Sequence, residues 1–147
     1  MPTRCAPAEC PESVMLDLLP AELPKREPLQ EVYRPEGKIR GRVALLQGCA
    51  QTVLDPDINA ATIEVLNRNG VEVVVPKSQG CCGALSWHVG NLKQAQKFAA
   101  TNLDAFPADV DAIVTNAAGC GSGMDEYPLI LKGTKDEQRA KAFREKT

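Results

Sequence analysis

The sequence predicts a small α/β fold of three layers, built on a short parallel sheet of strand order 2-1-3. Three observations point to it. Aliphatic runs recur at residues 43–47, 71–75 and 111–115, and residues of helical periodicity lie between and after them. This strand–helix alternation is the pattern of parallel sheets with crossover helices. Each run is also followed by a glycine-bearing stretch that carries cysteine: Gly48-Cys49, Gly80-Cys81-Cys82-Gly83 and Gly119-Cys120-Gly121. Right-handed crossovers bring all the carboxyl ends to one sheet edge. In the 2-1-3 order the switch point, where ligands bind, lies beside the first strand.

The chain has 147 residues, enough for one domain. At 44% hydrophobic and only 4% aromatic, its core must be aliphatic. A net charge of −2 argues against nucleic acid as a partner. No apolar run approaches the roughly 20 residues that span a bilayer, and the first residues lack the layout of a secretory signal. Six cysteines without an export signal fit metal or redox chemistry in a reducing cytoplasm better than a disulfide framework.

Residues 1–40 hold seven of the eleven prolines and read as a linker, with a short helix at Glu12–Leu19. Cys5 and Cys10 lie in it and read as free surface thiols. The α/β domain occupies residues 41–134. After the first strand comes the Cys49 loop, then Asp55-Pro56 as cap and first position of a helix. Ile58, Ala61, Thr62, Val65 and Leu66 form its apolar face, and Asn69-Gly70 ends it. The second strand, interrupted only by Glu72, leads to the double-cysteine loop. One long helix is expected over residues 86–106, with Leu92, Ala95, Ala99, Leu103 and Phe106 inward. The third strand and the Cys120 loop precede a helix over residues 124–131. Residues 135–147 read as a charged helical tail with a solvated surface.

Adjacent thiols seldom serve packing, because successive side chains diverge. Four thiols brought together suit a soft metal, either an iron–sulfur cluster or zinc. The C-x2-C knuckles of structural zinc sites are missing, whereas two adjacent sulfurs can ligate different atoms of a multi-iron cluster. His88 is a candidate ligand but more simply a helix residue, and Trp87 reads as a hydrophobic cover. Gln51, Asn116 and Tyr127 are candidate donors around the thiols. A thiol–disulfide enzyme using Cys81 and Cys82 is a further reading. No serine–histidine–aspartate set, phosphate loop or carboxylate pair suggests an independent catalytic centre.

These motifs resemble the cysteine-rich CCG domain. Cys49 and Cys81 are separated by 31 residues, and Cys82 and Cys120 by 37. Gly48-Cys49-Ala50-Gln51, the stretches 71–76 and 79–85, and Asn116-Ala117-Ala118-Gly119-Cys120-Gly121 look most like the iron–sulfur subunit of glycolate oxidase. Heterodisulfide reductase and lactate-utilisation proteins are related. The resemblance implies an electron-transfer module that accepts electrons from a flavin subunit and works with other iron–sulfur modules. Cys49, Cys81, Cys82 and Cys120 would then bind a cluster of 4Fe-4S type, with zinc as the alternative, in the cytoplasm or at the inner face of the membrane. The sequence departs from the family twice. Cys120-Gly121-Ser122-Gly123 lacks the closing cysteine of the family's C-x-x-C, and no ferredoxin-like domain or second CCG module is present. The ends therefore read as cuts between modules.

Overall fold

The computed structural model describes residues 22–25 and 27–147. Cys5, Cys10 and the helix expected at Glu12–Leu19 lie outside them. The sheet has four strands: β1 (Val32–Tyr33), β2 (Gly41–Leu46), β3 (Val71–Val74) and β4 (Ala112–Thr115), in the order β1-β3-β2-β4. β2 runs parallel to both neighbours, with Val43 opposite Val73 on one side and Ala112 on the other. The three strands read from the sequence thus stand in the order 2-1-3, and the sheet differs by the added β1. That strand pairs antiparallel with β3, Val32 opposite Val74, in a stretch assigned to the linker. Its flanking Pro28 and Pro35 hid it, although proline is compatible with an edge strand.

Alternation along β2 sends Val43 and Leu45 to one face and Ala44 and Leu46 to the other, and each face has its own core. On the first, Leu45, Val73 and Val75 meet Ile63 and Leu66 of the helix α2 (Asp57–Arg68), which follows the short α1 (Gln51–Leu54). The inward face of α2 is therefore Asn59, Ile63 and Leu66. Ile58 and Val65, expected inside, are exposed. The helix is rotated so that the amide of Asn59 reaches the strand ends, a requirement that hydrophobic periodicity does not report.

The second face carries the larger core. The helix expected over residues 86–106 is two helices, α3 (Ala84–His88) and α4 (Leu92–Ala105). Gly90 takes φ +79° between them, and Asn91 caps α4 by accepting from Gln94 N–H. Beyond β4 lie α5 (Ala118–Asp125), α6 (Tyr127–Ile130) and α7 (Glu137–Arg144). Ala95, Ala99 and Leu103 of α4 pack with Met124, Tyr127 and Ile130 on Ala44, Leu46 and Ile113 of the sheet.

The charged tail differs from its reading as a solvated helix. Ala140 and Phe143 are buried, and the Phe143 ring meets Phe106 edge-on at 5.6 Å and stacks on Tyr127 at 5.4 Å. The backbone oxygen of Lys146 accepts from Ile113 N–H at 2.6 Å, which occupies a donor on the outer edge of β4.

Candidate functional site

The carboxyl ends of β2, β3 and β4 deliver the four cysteines to one edge of the sheet. Gly48 turns the chain after β2 with φ +76°, and the hydroxyl of Thr52 donates to the carbonyls of Gly48 and Cys49 at 2.9 and 3.1 Å. This leaves Cys49 exposed, with its sulfur 3.6 Å from that of Cys81. Cys82 is buried, and Cys120 lies half-buried beside it. The Cys49–Cys81 pair opens onto a cavity of about 220 Å³ that Gln47, Thr52 and Gln79 also line.

Cys120 is in the first turn of α5 and not in a loop, as expected from its glycines. Those glycines act in packing. A Cβ on Gly123 would lie 2.5 Å from Cβ of Ala84, and one on Gly121 would lie 3.3 Å from Cγ2 of Thr115. The absence of side chains lets α5 approach α3 and β4, and so brings Cys120 against the double-cysteine loop.

Buried amides and one phenol hold that loop. Asn102 accepts from Gly80 N–H at 2.9 Å and donates to the carbonyl of Cys81 at 3.0 Å. Its amide also donates to the hydroxyl of Tyr127 at 2.8 Å, and that hydroxyl donates to the carbonyl of Cys82 at 2.9 Å. Both cysteine carbonyls thus point into the protein, and the N–H of Gly83 approaches Cys81 Sγ at 3.5 Å. Gln79 ties the loop to β2, accepting from Gln47 N–H at 2.9 Å and donating to the carbonyl of Leu45 at 3.1 Å.

A second amide cluster ties the outer loops together. Asn59 donates to the carbonyl of Gln47 at 2.9 Å, and its oxygen accepts from Gln51 at 2.9 Å and Asn116 at 3.0 Å. Gln51 and Asn116 therefore brace the site's framework, and Tyr127 reaches a cysteine carbonyl, none of them a sulfur. In the sequence Gln79 falls within the double-cysteine motif without an assigned role, and neither Asn59 nor Asn102 is singled out. The only available signal was amides within aliphatic helical or strand-end segments. His88 is exposed at the end of α3 with no hydrogen bond to a thiol among the described residues, and Trp87 packs partly buried against the larger core.

Burial pushes the Cys82 thiol up to about 11; the Ala84 N–H opposes the shift and Cys120 adds to it. Cys49 is raised too, first by local desolvation and then by the adjacent Cys81. Burial likewise raises the Tyr127 phenol, which keeps it a donor.

The donor set is soft and fits thiolate-bound metal. The Cys49–Cys81 separation of 3.6 Å brings two soft donors within reach of a shared metal centre. N–H groups of Gly83 and Ala84 face the sulfurs of Cys81 and Cys82, the environment that stabilises thiolate and bound metal. Among the described residues, no group of three or more His, Cys, Asp or Glu side chains is arranged around a single ion.

A switch-point edge bearing a double cysteine and two further thiols defines a cysteine-rich module, and the chain belongs to the CCG cysteine-rich domain family, which matches residues 43–125. It is 40% identical over 126 residues to the glycolate oxidase iron-sulfur subunit of Escherichia coli, covering 83% of this chain and 30% of that protein. It is 37% identical over 132 residues to the probable glycolate oxidase iron-sulfur subunit of Bacillus subtilis, covering 85% of this chain and 29% of that protein. Lactate utilization protein A of Geobacillus thermodenitrificans is 34% identical over 107 residues, 72% of this chain and 44% of that protein. The chain thus spans under a third of the glycolate oxidase subunits it matches. No solved structure matches it.

Proposed function

We propose that this chain is an iron–sulfur module of a glycolate-type 2-hydroxy-acid oxidase or dehydrogenase complex, relaying electrons from a flavin-containing subunit to a downstream acceptor. The observation that carries this reading is the convergence of Cys49, Cys81, Cys82 and Cys120 from three strand ends on one sheet edge. Names of relatives support it: both glycolate oxidase proteins are called iron-sulfur subunits.

In this reading the four cysteines hold a 4Fe-4S-type cluster, which supplies one-electron chemistry when bound. Asn102 and Tyr127 orient the double cysteine by its carbonyls, and the N–H groups of Gly83 and Ala84 steady the sulfur charge. Cys49 and Cys81 lie on the open side, where a partner module can approach. Among the described residues no three of the sulfurs gather around one point, which suits ligands on different metal atoms better than one zinc ion. Raised thiols at Cys49 and Cys82 also weigh against a thiol–disulfide enzyme, which needs a stabilised thiolate. Among the described residues no helix is long and apolar enough to cross a membrane. A cytoplasmic place, with attachment to the inner membrane face through partners, accords with this reading.

The test is metal and acid-labile sulfide content of the anaerobically purified chain, with its absorption spectrum. Iron, sulfide and a broad visible band that bleaches on reduction are expected, with loss of the band in Cys81→Ser and Cys120→Ser. Stoichiometric zinc without bleaching would replace the electron carrier with a zinc-stabilised interaction module. Four free thiols and no metal after anaerobic iron and sulfide loading would overturn both.

A further inference from the structure

We propose that the metal-free chain carries a specific oxidative modification site: Cys49 and Cys81 form a disulfide under peroxide, while Cys82 and Cys120 remain thiols. The sulfurs of Cys49 and Cys81 approach to 3.6 Å on the open side of the site. Cys49 is exposed, Cys81 half-buried, and both line the open cavity at the strand ends, so a small oxidant reaches this pair first. Cys82 is 5% exposed and packs in the larger core.

Hydrogen bonding decides which partner Cys81 takes. A vicinal Cys81–Cys82 disulfide closes a ring around the intervening peptide and requires that peptide to rotate. Here the Cys81 carbonyl is held by Asn102 and the Cys82 carbonyl by Tyr127, both inside the protein. Rotation would break buried hydrogen bonds, each costly to leave unmade. Bridging Cys81 to Cys49 requires movement at the Cys49 loop, which glycine begins and which is open to solvent.

The chemistry balances with one peroxide. The Cys81 sulfur, which the Gly83 N–H approaches at 3.5 Å, attacks the O–O bond and becomes a sulfenic acid, releasing one water. Cys49 sulfur then displaces the sulfenic hydroxyl, forming the S–S bond and releasing a second water. Two thiol hydrogens and two electrons have passed to the peroxide. The bond also removes two of the four sulfurs from the donor set. That consequence rests on the cofactor reading above, whereas the disulfide itself does not.

The experiment treats the chelated, reduced full-length chain with one equivalent of hydrogen peroxide, blocks remaining thiols by alkylation, and maps a non-reducing tryptic digest by mass spectrometry. The expected product links peptide 43–68 to peptide 78–93, at their summed mass less two hydrogens plus one alkyl group, with fragmentation placing the bond at Cys81 and the alkyl group on Cys82. Cys49→Ser should abolish this species and Cys120→Ser should retain it. A bond within peptide 78–93, a link to peptide 98–132 or to the peptide bearing Cys5 and Cys10, or oxidation without any cross-link would overturn the proposal. Iron and sulfide uptake is measured in parallel. Uptake blocked until a dithiol is added extends the proposal to a loading switch. Uptake failing in both reduced and oxidised chains, with the mapped bond present, would instead sink the cofactor reading alone.

Discussion

The two sides of the thiol edge are built by different means. Around Cys82 and Cys120, position follows from the core: α5 closes on Ala84 through Gly123, Tyr127 reaches from beneath, and Phe143 of the last helix supports Tyr127. Around Cys49, position follows from a glycine turn, a threonine on a four-residue helix and the Gln51–Asn59 amide pair. A buried side is positioned by packing. An open side has room to rearrange. The distinction separates residues whose loss unfolds the module from residues whose loss only disarms it.

The largest effect is expected far from the sulfurs, in sequence at least. Phe143→Ala removes a ring packed on both Phe106 and Tyr127, and should cost about 3–5 kcal/mol of unfolding free energy in a urea titration. A cost below about 1 kcal/mol would show that the terminal helix is an accessory and that the buried side stands without it.

Gly123→Ala comes next. Its Cβ would meet Ala84 Cβ at 2.5 Å and Cα at 3.1 Å, contacts that only a shift of helix α5 or α3 can relieve. A loss of about 1–3 kcal/mol is expected, with faster alkylation of Cys82 as the helices part. Gly119→Ala in the same helix has open space at its Cβ and no unusual φ, and should be neutral or stabilising by about 0.4–1 kcal/mol. Equal losses from both would mean that glycine acts here through the backbone and not through close approach.

Much of this edge was legible in the sequence, and the reasons are specific. Val43–Gln47, Val71–Val75 and Ala112–Thr115 announce strands by composition, and their shared sequel of glycine and cysteine makes convergence a matter of topology. What was hidden depends on contacts between distant residues. Asn102 lies in the helix after the loop it holds, and nothing local separates it from a polar surface residue. The stretch Ala118–Gly123 looked like a loop because three glycines usually mean one; here they are the small surface of a packed helix. Phe143 stands among charges, so its helix resembled a solvated tail until Tyr127 supplied a partner. β1 is two residues long, too short for any period.

Tyr127→Phe sharpens the comparison at a single hydroxyl. The Cys82 carbonyl would lose its donor in a buried place, at a cost of about 1–2 kcal/mol, while Asn102 still holds Cys81. The buried thiol below it gives a pH signature in the metal-free chain. Cys82 is pushed up to about 11 from an ordinary 9.0, so the fold favours its neutral form. That contribution is complete below pH 9 and is lost as pH rises through 11, because the unfolded chain gives up its proton first. Alkylation at pH 8–9 should therefore leave Cys82 as the slowest of the site thiols; rapid reaction there would mean that the core does not cover it.

Cys49→Ser should have the smallest effect on stability and a full effect on binding. The side chain is exposed, its sulfur approaches that of Cys81 at 3.6 Å, and serine keeps a small polar group in the same space. Substitutions of this kind usually stay within about 0.5 kcal/mol. Cys82→Ser instead places a hydroxyl in a packed core, where an unmatched polar group costs about 1–3 kcal/mol. Both variants remove one sulfur from the same donor set, so both should lose the bleachable absorption after iron and sulfide loading. Parallel urea titrations of the two metal-free variants would separate their thermodynamic roles. Matching losses of stability would erase the distinction between a fixed side and an open side, whereas an intact fold without a cluster in Cys49→Ser would show that the open side serves binding alone.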